Sequence, residues 1–95
     1  MFPKETSVLI IDDMAGAREY LKNQLVALGY TSIAEATNGQ EAFDLLESAV
    51  QVGMAIGLII SDWNMPVMTG LELLQKVRAT PKLAKIPFQI GRAHV

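Results

Sequence analysis

Three aspartates follow short apolar runs, and their placement suits cation chemistry. "SVLIIDD" delivers Asp12 and Asp13 directly after residues 7–11, and "GLIISDWNMPVMTG" delivers Asp62 after residues 57–61. A carboxylate at the end of a buried segment is costly unless something pairs with it. Local roles compete with chemistry: Asp13 could cap a following helix, and Asp62 could start a turn by bonding to its own following backbone. The recurrence of acids after two separate runs favours a shared site. If the three carboxylates meet, each resists ionising beside the others. A hard divalent cation, Mg2+ foremost, resolves that conflict with carboxylate, backbone carbonyl and water oxygens.

Whether they meet depends on the elements that carry them. "SVLII" reads as a strand buried on both faces. Met14, Ala17, Leu21, Leu25 and Leu28 then recur at helical spacing, with Gly29 as the C-terminal cap. A second strand is expected over residues 32–36, and a second helix with the apolar face Ala42, Leu45, Leu46 and Ala49, opened by Asn38 and Glu41. Residues 57–61 form the third strand, and Leu71, Leu74 and Val77 carry a third helix opened by Thr69 and Glu72 in capping-box spacing. A fourth strand is expected at residues 86–88. Alternating strands and helices call for a parallel sheet covered on both faces, with every strand's C-terminal end on one edge. Neighbouring strands lie about 4.8 Å apart, so the acids converge if the first and third strands are adjacent.

Composition bounds the rest. Ninety-five residues suit one domain, and 51% hydrophobic with 19% charged residues suits a packed core. A net charge of -2 provides no basic footprint for nucleic acid or an anionic membrane surface. The absence of cysteine excludes disulfides and thiolate metal sites. No secretory leader is read at the N-terminus. The longest uncharged run, residues 48–61, falls short of the roughly 18 residues of a membrane span, and a soluble cytoplasmic protein is expected. There is no G-x-G-x-x-G for a dinucleotide and no G-x-x-x-x-G-K for a nucleoside triphosphate. An aspartate-nucleophile phosphatase would want a second acid where Asn64 stands.

The pair Asp12–Asp13, Asp62 after the third strand, and "DWNMPVMTG", with Pro66 four and Gly70 eight positions beyond Asp62, resemble the receiver domain of two-component response regulators, in particular the single-domain chemotaxis type. The resemblance implies a flavodoxin-like doubly wound parallel sheet of strand order 2-1-3-4-5, here truncated in or after the fourth strand. It implies that Asp62 is the phosphoacceptor. Mg2+ would be held by Asp13 directly, by Asp12 through water, by Asp62 and by the backbone carbonyl of Asn64, with Pro66 and Gly70 shaping the turn. The implied partner is a sensor histidine kinase or phosphotransfer protein, and the implied role is a phosphorelay switch rather than an enzyme.

Other features depart from the pattern or fall outside it. The Ser or Thr expected to end the fourth strand and the Lys expected to end the fifth have no counterpart after Phe88. "IGRAHV" matches what a common sequencing-library adapter yields when translated, so the expected limits are a partial receiver domain over 1–89 and a non-native tail over 90–95. A genuine short terminus would instead suit a degenerate receiver acting as a protein-protein binding module without phosphorylation. "AVQVGMAIG" is unusually apolar for a link into a strand. Trp63 and His94 are given no role, and Met54, Met65 and Met68 read as packing residues.

Overall fold

The computed structural model describes residues 2–62 and 67–91. Its elements alternate as expected: β1 Val8–Ile11, α1 Ala15–Ala27, β2 Ile33–Ala36, α2 Gly39–Gln51, β3 Leu58–Asp62, α3 Gly70–Arg78 and β4 Phe88–Gly91. The strands pair in parallel in the order β2-β1-β3-β4, the doubly wound flavodoxin-like arrangement. The chain steps outward from β1 to β2, then returns past β1 to β3. The crevice outside the C-terminal ends of β1 and β3 is therefore the switch point in strand order.

Strand alternation divides the core into two layers. Leu9 and Ile11 of β1 join Ile59 of β3 in a cluster with Phe43 and Leu46 of α2 and Leu73 and Val77 of α3. Val8 and Ile10 join Leu58 on the opposite side, with Leu25 of α1 and Tyr30. With β1 buried along its whole length, its near-continuous apolar run is explained.

Local signals set the helix ends. The Asn38 side chain accepts from the Glu41 amide at 2.8 Å, and Thr69 and Glu72 make a reciprocal capping box at 3.1 and 2.9 Å. α1 closes with a Schellman motif: Gly29, at φ 102°, donates to the Val26 carbonyl, and Tyr30 donates to that of Leu25. Gly53, at φ 76°, ends α2 in the same way, with Met54 donating to the Ala49 carbonyl. The apolar "AVQVGMAIG" is thus a helix end and a turn that returns buried Ile56 to the core.

Several faces differ from expectation. In α1 only Leu25 is buried, while Met14 and Leu28 are exposed. Ala17 and Leu21 are half-buried, and Leu21 packs against the cluster that holds Leu25, so the inward stripe of α1 runs through its middle and leaves out both ends. In α2 the buried face also takes in Phe43. In α3 the buried stripe is Gly70, Leu73 and Val77, and Leu71 is 45% exposed. The apolar positions of α3 allow two rotations about its axis, and contact of Gly70 with β3 selects one. β4 begins later than expected because Ile86 belongs to a turn: it donates to Leu83 at 3.2 Å, and Arg78 donates to the Ala84 and Ile86 carbonyls. Ile90 and Gly91 lie within β4, in register with Ser61 and Asp62. Residues 92–95, including His94, lie outside the described residues.

Candidate functional site

The register of β1 on β3, with Ile11 opposite Ser61, brings Asp12 level with Asp62. One carboxylate oxygen from each of Asp12, Asp13 and Asp62 lies within 4.8 Å of the others. Their environments differ: Asp12 is buried at 5% exposure, Asp62 is half-buried and Asp13 is exposed. A cleft of about 190 Å³, lined in part by Asp12, Asp62, Ala17, Tyr20 and Ile60, opens onto the site from the α1 side.

Asp12 is held at three points. Its amide donates to the Ala36 carbonyl at 3.1 Å, its Oδ1 accepts from the Met14 amide at 2.9 Å, and its carbonyl accepts from Arg18 at 2.7 Å. Asp13 is not the cap of α1: Met14 occupies that position, and no side chain caps it. Burial pushes the Asp12 carboxyl above the ordinary aspartate range. The Met14 hydrogen bond opposes the shift, while the charges of Asp62 and Asp13 add to it.

Asp62 ends β3, and the Ser61 hydroxyl donates to its carbonyl at 3.0 Å. Gly70 contributes here through space rather than turn geometry. It is the first residue of α3, and a Cβ at this position would lie 2.5 Å from the Asp62 carbonyl oxygen and 3.3 Å from Ser61 Oγ. Only glycine lets the start of α3 approach β3 so closely. Asn64 and Pro66, expected as a ligand and a turn residue, lie outside the described residues, as do Trp63 and Met65.

The donor set fits Mg2+. Three carboxylates of mixed burial provide hard oxygen ligands; burial is the main cause of the raised Asp12 carboxyl, and the smaller contribution from the charges of Asp62 and Asp13 is the part a divalent cation would offset. Sequence reasoning missed Arg18, which reaches the Asp12 carbonyl, and Glu35, whose Oε1 accepts from Arg18 Nε at 3.2 Å. Only the fold brings them to the site. Gly70, in contrast, stood out by its spacing from Asp62.

A parallel 2-1-3-4 sheet with three acids gathered beside its switch point defines a receiver-type α/β signalling domain. Residues 8–90 match the response regulator receiver domain, and the chain belongs to that family. It is 44% identical to a chemotaxis protein CheY homolog of Campylobacter jejuni over 81 residues, covering 85% of this chain and 59% of the relative. It is 40% identical to chemotaxis protein CheY1 of Helicobacter pylori, covering 85% of this chain and 62% of the relative. The chain thus spans about three fifths of the length of these relatives. A structure of Vibrio cholerae chemotaxis protein CheY4 superposes with a TM-score of 0.79 at 32% identity, covering 90% of this chain and 67% of that one.

Proposed function

We propose that this domain is the phosphoacceptor of a two-component relay, with Asp62 as the accepting residue. The observation that carries the proposal is the convergence of Asp12, Asp13 and Asp62 within 4.8 Å at the sheet edge. A phosphohistidine on a sensor histidine kinase or phosphotransfer protein is the donor. An Asp62 carboxylate oxygen forms the bond to phosphorus while the P–N bond breaks. The imidazole leaves with the electron pair and then takes up a proton, and the product is an acyl phosphate. Half-buried Asp62 keeps one side open to the donor.

Asp13, Asp12 and Asp62, with the carbonyl of Asn64, would hold Mg2+. When bound, it supplies charge neutralisation between the attacking carboxylate and the phosphoryl oxygens. The domain's own contribution is positioning: Asp12 is fixed from β2, the Met14 amide and α1, and Asp62 by its place at the end of β3. The added negative charge of the acyl phosphate then biases a conformational equilibrium. The relay acts in the cytoplasm, and the named relatives favour a chemotaxis pathway.

The test is incubation of the full chain with Mg2+ and acetyl phosphate, followed by intact mass. The wild type is expected to gain one phosphoryl group, and chelation of Mg2+ or Asp62→Ala to abolish the gain. A wild type that gains none, or an Asp62→Ala protein that gains as much, would overturn the proposal.

A further inference from the structure

We infer that Arg18 is a positioning residue for the acidic site, setting Asp13 through the main chain of Asp12. The inference rests on the reading of Asp12, Asp13 and Asp62 as the cation-binding set. Asp12 is the first residue beyond β1, and its amide makes the last hydrogen bond to β2, to the Ala36 carbonyl at 3.1 Å, so its own carbonyl must be held from elsewhere. Its carbonyl accepts from the Arg18 guanidinium at 2.7 Å. That carbonyl lies in the same planar peptide unit as the nitrogen and Cα of Asp13, so holding the oxygen restrains the base of the Asp13 side chain. Asp13 is exposed and does not cap α1, so this restraint matters to its placement.

Arg18 is itself oriented. Its side chain is only 16% exposed, and its Nε pairs with Glu35 of β2 at 3.2 Å. Glu35 is braced by Lys22, one turn further along α1, at 3.5 Å. The fork of the guanidinium thereby ties α1, β2 and the end of β1 together at one point. A lysine ammonium lacks that fixed geometry.

Charge and geometry predict opposite signs. Arg18 brings a positive charge to the edge of an anionic cluster, so on charge alone its removal would strengthen Mg2+ binding. Removal of a positioning contact would weaken it, and groups that orient metal ligands typically contribute tenfold or more to affinity.

The test is calorimetric titration of the full chain with MgCl2 in wild type, Arg18→Gln, Arg18→Lys and Glu35→Gln, with urea unfolding of each. Arg18→Gln is expected to weaken Mg2+ binding roughly tenfold despite losing a positive charge. Arg18→Lys should be weakened although its charge is kept, and Glu35→Gln weakened to a smaller degree. Unchanged or tighter binding by Arg18→Gln, with only the urea midpoint lowered, overturns the positioning role and leaves the cation site standing. A wild type that binds no Mg2+ overturns both. If Arg18→Gln does not fold, Glu35→Gln decides, and unaltered affinity in that exposed variant overturns the inference.

Discussion

Replacing Gly70 by alanine sets two physical effects against each other, and the structure decides the sign. Alanine is the better helix former by about 1 kcal/mol, so on propensity alone the change at the start of α3 would stabilise the protein. The new Cβ, however, would stand 2.5 Å from the Asp62 carbonyl oxygen. Helix and strand must separate by roughly 0.5 Å to restore even a tight 3.0 Å contact, and neighbouring Leu73 and Val77 are fully buried. Such overpacking costs about 1–3 kcal/mol, and against a backbone oxygen that cannot rotate away the cost lies in the upper part of that range, about 2–3 kcal/mol, which exceeds the propensity gain. We expect Gly70→Ala to destabilise by about 1–2 kcal/mol. Gly16 of α1 is the internal control: a Cβ there meets nothing within 4 Å. Gly16→Ala should stabilise by about 0.5–1 kcal/mol. Urea unfolding of the three proteins measures both changes, and 1 kcal/mol corresponds to roughly 4–8 °C in Tm for a domain this size. A Gly70→Ala protein as stable as wild type, or two alanine variants shifted in the same direction, would refute the close-approach reasoning. The separation also moves the peptide group that follows Asp62, so Gly70→Ala should lose Mg2+ affinity and Gly16→Ala should retain it.

Asp12 makes stability depend on pH. Its folded-state pKa lies above the ordinary aspartate value of 3.8, so the unfolded chain ionises first as pH rises. Without divalent ions, stability should fall as pH rises from 3.8 through the folded pKa, and the penalty should persist at neutral pH. Asp12→Asn should then stabilise the metal-free protein at pH 7 and lose that advantage in acid, as read from urea unfolding at the two pH values; a less stable variant at pH 7 would contradict this. Val67 is 80% exposed yet sits at φ 70°, a backbone region that strains a β-branched residue. Val67→Asn should raise stability by about 1 kcal/mol, and an unchanged thermal melt would count against that strain. Thr69→Ala, which removes the capping box of α3, should cost about 1 kcal/mol in urea unfolding, against no change if the cap is idle.

The elements were legible because their signals are local. Asn38 with Glu41, Thr69 with Glu72, and Gly29 mark helix ends through hydrogen bonds within a few residues, and these appear as expected. The convergence of Asp12, Asp13 and Asp62 was legible because a carboxylate that follows a buried strand is costly unless it has company, and the structure brings the three within 4.8 Å. Packing faces were less legible. The apolar residues of α3 suit two rotations, and the choice of Leu73 and Val77 over Leu71 depends on how Gly70 meets β3. The start of β4 was misplaced because Arg78 draws the Ile86 carbonyl into a turn, a contact made across eight residues.

By itself, the sequence determined which residues carry charge, where strands and helices alternate, and that the acids belong at strand ends. Only the tertiary structure placed Ile11 opposite Ser61, which makes Asp12 and Asp62 neighbours although 50 positions separate them. It alone brought Arg18 to the Asp12 carbonyl and Glu35 to Arg18, and pressed Gly70 against β3. Caps and periodicity arise from short-range bonds that a few residues encode. Register, helix rotation and side-chain reach are set by packing between segments, and so become definite only when the whole sheet closes around β1.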